Sequence, residues 1–460
     1  MIRPGLALIA TGFMSIGFLT PGLAAAPADP GREVLPINDG FAAVLTSVLP
    51  LGTTGGSNAT AARTVTVTNR NELVAALKYP DPTPKLIYVR GTIDANVDDK
   101  NMPLNCRDYQ RPDPATGEPY SLHAFLTMYD PEGPWEKKAP FGGQENARVA
   151  SAAAQEARVH ILIPPNTTIY GLGSDATLVG AWFDIRPANG SGSQPMNVII
   201  RNLSFEDAAD CFPEWSPDDG PTGNWNSQYD AISVRNATHV WIDHNRFADV
   251  RILDETQPIL LGRKVQVHDG LVDITNESDF VTVSWNVFAS HDKTMLIGNS
   301  DGALADAGKL HVTLHHNFFD GVGQRTPRVR YGQVHVYNNV YRATMHTNYH
   351  SSWGVGLESR IYAENNYFDM SASYGPGEVI SGQKGMSLVA TGNCWREKEV
   401  CVPTDFVGLW NAARDPDLTA DVGWKPSLYG PGSGAEPAEA ARARVLAESG
   451  PGRKKNQNRE

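Results

Sequence analysis

Three arginines lie within Arg325-Thr326-Pro327-Arg328-Val329-Arg330, the densest positive cluster between the two ends of an acidic chain of 460 residues and net charge -12. Guanidinium groups held this close repel one another unless an anion faces them. Upstream, Asp230, Asp269 and Asp273 would repel in the same way if they converged. A hard cation with oxygen ligands and flexible geometry, such as Ca²⁺, relieves that repulsion. Read singly, the acids are equally consistent with solvated loop carboxylates, and the arginines with a salt-bridged surface. Read together, a cation site beside an arginine cluster points to an enzyme acting on a polyanion.

The spacing supports convergence. Asp269 and Asp273 are four apart in His268-Asp269-Gly270-Leu271-Val272-Asp273-Ile274. Asp230 lies 43 residues before Asp273, and Asn245 lies 41 before Asn286, which suits adjacent turns of a repeating structure. Lys293 follows His291-Asp292 after the apolar stretch 281–288, and the arginines follow the stretch 312–319. In an extended segment Arg328 and Arg330 share a face, with Arg325 reached through the turn set by Pro327. Arginine forks match carboxylates bidentately, while lysine supplies a point charge.

A repeat supplies the elements that position these groups. Copies such as Trp241-Ile242-Asp243-His244-Asn245-Arg246-Phe247 and Leu314-His315-His316-Asn317-Phe318-Phe319 join a short apolar strand to an Asn and a following aromatic. Seven copies place Asn202, Asn245, Asn286, Asn317, Asn339, Asn366 and Asn393 at intervals of 43, 41, 31, 22, 27 and 27 residues. A constant core with variable spacing fits a coil whose turns carry loops of different length. Strands recurring at one point of each turn stack as parallel sheets around one apolar core. The stacked asparagines would bond along the axis, and the aromatics would stack likewise. The predicted fold is an all-β, right-handed parallel β-helix spanning 65–430; a β-sandwich would need seven coincidental matches.

Around this coil, residues 70–78 read as a short helix capped by Asn71 that covers the open N-terminal end. Residues 27–64 read as a linker, 97–158 as a long insertion, 206–228 as a loop, and 436–448 as a terminal helix before a disordered basic end. The 43 glycines and few long helical patterns agree with an all-β solenoid. Charged residues at 20% and hydrophobic ones at 41% describe a soluble globular chain. Its acidity argues against nucleic acid as a partner, so an acidic polymer must be held by a local site.

Residues 1–26 read as a cleaved signal peptide: Arg3, the apolar run 6–19, then Pro21, Gly22 and the small residues Ala24-Ala25-Ala26. The run is too short for a membrane anchor. The expectation is a secreted, monomeric protein without a membrane partner. An even set of four cysteines in an exported chain suggests disulfides. Cys394 and Cys401 would close a small loop, leaving Cys106 to pair with Cys211; no spacing resembles a zinc site.

Several ordered motifs sharpen this reading. They are Trp241-Ile242-Asp243-His244, Asp269-Gly270-Leu271-Val272-Asp273, His291-Asp292-Lys293, Leu296-Ile297-Gly298-Asn299-Ser300-Asp301, His315-His316-Asn317 and Arg325-Thr326-Pro327-Arg328-Val329-Arg330-Tyr331-Gly332. In this order they resemble the pectate lyases of polysaccharide lyase family one, over roughly residues 65–430. The resemblance implies the β-helix already argued, calcium as cofactor, and polygalacturonate as substrate. It makes Asp230, Asp269 and Asp273 the calcium ligands, Lys293 and Arg330 the substrate-carboxylate binders, and Arg325 the catalytic base. Some members carry a further Asp where this chain has Gln228, and some have Glu where it has Asp269, which leaves the number of calcium ions open.

The implied reaction is β-elimination: a base removes the C5 proton and the glycosidic oxygen leaves C4, forming a 4,5-unsaturated end. Arginine is an unusual base because a guanidinium normally stays protonated. His291 is a conventional candidate, although the family pattern makes it structural, and His244, His315 and His316 are expected beside the strands. Three competing readings fit less well. A polygalacturonase would hydrolyse with paired acids, and its usual Asn-Thr-Asp and Arg-Ile-Lys signatures are missing. A pectin lyase, working on methylated polymer without calcium, would replace the three aspartates. A non-catalytic β-helix would not need Lys293, Arg325 and Arg330 together.

Overall fold

Each full turn of the coil contributes three short strands. One such turn is Ile232–Arg235, Ala237–Asp243 and Arg246–Ala248; the next is Val272–Thr275, Asp279–Ser284 and Val287–Ala289. Corresponding strands pair in parallel, as in Ile232↔Val272, Val240↔Val281 and Phe247↔Phe288. The pattern continues to Ile380–Gln383, Leu388–Thr391 and Cys394–Glu397. This is the right-handed parallel β-helix expected from the repeat. The computed structural model describes residue 1 and residues 29–188, 194–426 and 435–453. Met1–Pro30 and Gly31–Glu460 are separate compact units, and the fold is that of the second. The apolar run and cleavage site expected at 6–26, and most of the basic end expected to be disordered, lie outside the described residues. No helix among the described residues is long and apolar enough to cross a membrane.

Alternate residues of the middle strands point inward and are fully buried, among them Val240, Ile242, Val281, Val283, Val312, Leu314, Val334 and Val336. At the corner after each middle strand, asparagine amides form the expected ladder. Asn245 donates to Asn286 at 3.1 Å, Asn286 to Asn317 at 3.1 Å, Asn317 to Asn339 at 3.0 Å, Asn339 to Asn366 at 3.1 Å and Asn366 to Asn393 at 2.9 Å. Beside it run the rings of Phe205, Phe247, Phe288, Phe319, Tyr341, Phe368 and Trp395, with centroids 4.5–6.2 Å apart.

The first rung corrects the sequence reading. Asn202 sits at the left-handed corner (φ 59) that His244, Trp285, His316, Asn338 and Asn365 occupy in later turns. Leu203 takes the ladder slot, its N–H donating to Asn245 Oδ1 at 3.1 Å. The ladder therefore has six asparagines. Each L-residue in the left-handed corner costs about 1–2 kcal/mol, so the ladder bonds beside it help to hold the turn.

Three other expectations change. The helix Arg70–Leu77 is capped by Asn69, whose side chain accepts from Glu72 N–H at 3.0 Å; Asn71 instead donates to Asp99 O. The supposed linker is packed on the coil: Phe41, Ala42 and Ala43 are buried, and the N–H groups of Phe41 and Ala42 donate to Thr313 and Thr282 hydroxyls at 3.0 Å. The insertion carries a 17-residue helix, Gly143–Val159, whose alanine-rich sequence favours helix and which buries Ala147, Ser151, Ala152, Gln155 and Val159. The disulfide Cys106–Cys211 ties this insertion to the 206–228 loop, where Trp215 pairs with Trp225 in a hairpin. Cys394–Cys401 closes a second hairpin, formed with the antiparallel strand Val400–Pro403. The terminal helix is Ala438–Glu448, packed through Ala438 and Val445 against Phe318, Val340 and Tyr367.

Candidate functional site

The charged residues gather along the eight-stranded stack that runs from His160–Ile163 to Ile380–Gln383. Two adjacent strands bring the first carboxylates together. Ser233 stands opposite Asp273, so the register is 40 residues rather than the 43 suggested by the aspartates themselves. Asp230, just before its strand, accepts from Ser233 Oγ and from Gly270 N–H at 2.9 Å. Asp273 accepts from Leu296 N–H at 2.9 Å. Gly270 lies between them: a Cβ there would fall 2.3 Å from Asp273 Oδ1 and 3.0 Å from Asp230 Oδ1. Only glycine lets the chain pass so close to two carboxylates. Asp269, on the same loop, is half-buried and turns to Lys293 Nζ at 3.2 Å.

The electrostatics are unfavourable as the side chains stand. Burial, then Asp273 and Asp269, hold Asp230 well above the usual carboxylate range. Burial and the Asp269 charge push Asp273 up to about 7, against the opposing pull of Leu296 N–H, Arg325 and Lys293. Neither Asp230 nor Asp273 has a cationic side chain at ion-pair distance among the described residues.

The cations come from the next turns of the same stack. Lys293 pairs with Gln324 in a parallel bridge, which places it beside Arg325 on the following turn; its Nζ also donates to Gln266 at 2.8 Å. Arg328 stands opposite Leu296. Burial, followed by the charges of Arg330 and Arg325, lowers the Arg328 guanidinium to about 10. Among the described residues, the Nε atoms of Arg325 and Arg328 are buried without a hydrogen-bond acceptor. A buried donor without a protein partner calls for an acceptor from water or a ligand; Arg325 and Arg328 are the two that share one turn with Arg330. Arg330 differs: Nε donates to Asp301 at 2.8 Å and Nη1 to the carbonyls of Gly298 and Asn299, so Nη2 is the part of its fork left for a ligand.

Sequence reasoning missed the acids that hold these groups. Asp301 grips Arg330 and also Lys384 Nζ at 2.6 Å. Asp249 binds His291 Nδ1 at 2.9 Å, and Asp254 binds His268 Nδ1 at 2.9 Å. Burial works against a charge on His291, but Asp249 overcomes it and raises the imidazole to about 9. Asp249, Asp254 and His268 lie close enough to hold a metal ion; the two imidazoles already supply the acids with donors. Asp301 was visible in its motif, and Asp249 follows the ladder residue Asn245 by four positions, but neither position announces its partner.

A parallel β-helix with carboxylates on two adjacent turns, a lysine on the third and arginines on the fourth has the make-up of a β-helical polysaccharide lyase. Comparison with known proteins agrees. Residues 141–400 match the family model described as pectate lyase. The chain is 45% identical over 416 residues to a pectate lyase of Bacillus subtilis (strain 168), covering 90% of this chain and 92% of that one. It is 36% identical to pectate lyase D of Dickeya chrysanthemi, over 70% and 68% of the two chains. A solved pectate lyase bound to hexasaccharide superposes with a TM-score of 0.82 at 42% identity, covering 93% of this chain and all of the other. The chain belongs to the pectate lyase family.

Proposed function

We propose that this enzyme is an exported, monomeric pectate lyase that cleaves α-1,4-linked polygalacturonate by calcium-assisted β-elimination. The observation that carries the reading is the pair of buried guanidinium Nε donors without acceptors, Arg325 and Arg328, two turns beyond Asp273 and three beyond Asp230 on the same stack. A polyuronate laid across these turns would supply acceptors to the arginines. The carboxylate cluster suits a divalent ion: three acids with little neutralisation and a glycine that leaves room between two of them. Asp230, Asp269 and Asp273 would hold calcium, which would supply positive charge to the substrate carboxylate and so acidify the neighbouring C–H.

The chain's own residues account for the remaining chemistry. Lys293 and Arg330 orient the uronate and stabilise the negative charge that develops next to its carboxylate. Arg325 takes the C5 proton; the electron pair forms the C4–C5 double bond, the C4–O bond breaks, and the leaving oxygen takes a proton from water. Arg325 receives this role from its motif position and from a buried Nε without a competing acceptor. Arg328 adds positive charge alongside. Incubation with polygalacturonate, with and without added calcium, tests the proposal. Ultraviolet absorbance of the unsaturated product should grow only with calcium, and new reducing ends without that absorbance would mean hydrolysis.

A further inference from the structure

The His291 imidazole bridges two successive turns of the coil: Asp249 and Asp269 belong to the connection before Val272–Thr275, and His291 and Lys293 to the one before Leu296–Ile297. Its Nδ1 faces Asp249 Oδ2 at 2.9 Å, and its Nε2 faces two backbone carbonyls, Asp269 O at 2.8 Å and Lys293 O at 3.1 Å. A carboxylate and two carbonyls can only accept, so each ring nitrogen donates and the ring carries both protons. Asp249 is its counter-charge and is itself buried, with His268 Nδ1 3.4 Å from the same oxygen. An ordinary core histidine fills space among apolar side chains. This one fastens the backbone of Asp269 to that of Lys293, and the side chains of those two residues meet at 3.2 Å.

We infer that the Asp249–His291 pair is a positioning element that sets the distance between the carboxylate arm and the cationic arm of the site. Asp269 arrives on a loop and Lys293 on the turn after it; neither belongs to a regular strand. The nearest backbone bonds between the two segments run from the N–H groups of Leu271 and Val272 to Thr294 O, at 3.0 and 3.2 Å, and leave the carbonyls of Asp269 and Lys293 themselves to be set by another donor. His291 supplies that donor, and Asp249 holds the ring so that Nε2–H points at both carbonyls. Outer residues of this kind orient the groups that touch a metal or substrate without touching either. The inference rests on the calcium and polygalacturonate reading given above.

Three variants test it: His291→Leu, Asp249→Ala and Asp249→Asn. The first removes the donor. The second removes the ring's partner. The third keeps a partner, because an amide can donate to Nδ1 of a neutral ring whose Nε2–H stays on the carbonyls. Calcium binding by titration calorimetry, together with kcat and KM on polygalacturonate, should separate them. In His291→Leu and Asp249→Ala, calcium affinity should fall about 10- to 100-fold. At saturating calcium kcat should largely recover, while KM stays raised because Lys293 remains misplaced. Asp249→Asn should stay close to wild type. Wild-type calcium affinity and KM in folded His291→Leu would overturn the inference, as would Asp249→Asn failing as badly as Asp249→Ala. If His291→Leu does not fold, the two Asp249 variants decide alone. A wild-type protein that neither binds calcium nor cleaves the polymer would instead overturn the underlying reading.

Discussion

Two edges of the same coil stack like groups upon like groups, with opposite results. Along the corner that follows the middle strands, each asparagine donates to the next and accepts from the one before. Amides carry both donor and acceptor, so repetition satisfies them. Along the eight-stranded stack, carboxylates of adjacent turns converge and three arginines crowd a single later turn. Charged groups of one sign cannot satisfy each other, so Arg330 and Asp269 draw on Asp301 and Lys293 while Asp230 and Asp273 have no cationic side chain at ion-pair distance among the described residues. The helical geometry is indifferent to the distinction. What separates scaffold from site is whether the stacked group complements itself.

The comparison can be broken at four points. Arg325→Ala should lower kcat by about 10³-fold, the usual range for losing a proton acceptor, with an unchanged circular dichroism spectrum; activity near wild type would remove Arg325 from the chemistry. On the satisfied edge, Asn317→Ala should destabilise the fold by about 3 kcal/mol, because it strips bonds from both neighbouring rungs and leaves buried groups unpaired. Denaturant unfolding reads this directly.

Asp273→Asn should do the reverse. It should stabilise the calcium-free protein by about 1–2 kcal/mol, by removing one member of a repelling set, while weakening calcium binding. The pH dependence has a definite sign. Because Asp273 is raised to about 7, the folded state binds more protons than the unfolded chain between the ordinary carboxylate range and that value. Stability of the calcium-free protein should therefore be greatest at low pH on this account and fall as pH rises through about 7, with saturating calcium flattening the decline. Thermal unfolding across pH, with chelator or calcium, measures it. The smallest effect is expected from Asp301→Asn: a loosened Arg330 should raise KM about threefold and leave kcat nearly unchanged, since uniform binding is what is lost.

Much of this molecule is legible in its sequence, because a stacked fold writes the same residues at the same place in every turn. The aromatic positions show where that legibility ends. Phe247, Phe288 and Phe319 each follow their asparagine by two residues, whereas Phe205 follows Asn202 by three. That single-residue offset was the available signal that Asn202 belongs to the corner and Leu203 to the ladder. The packed segment around Phe41 has no repeat to reveal it; its partners, Thr282 and Thr313, lie more than two hundred residues away. The helix Gly143–Val159 was readable from its alanines but was hidden by the Pro- and Gly-rich sequence before it. Among the charged residues, positions could be read but pairings could not. Nothing local to Asp301 tells that it grips Arg330, because the contact depends on how far two loops reach from neighbouring turns.

One end of the coil bears on where such a stack stops. A stack of parallel strands is an open template: its last strand offers an edge to which another chain could add a further rung. Here Cys394–Glu397, the last parallel strand of its stack, is followed at once by Val400–Pro403 running the opposite way, and Cys394–Cys401 fastens the two. A parallel newcomer would find that edge occupied by a strand of the wrong direction. The hairpin thus works as a chain terminator for self-assembly, ending at this edge the growth that the rest of the architecture invites.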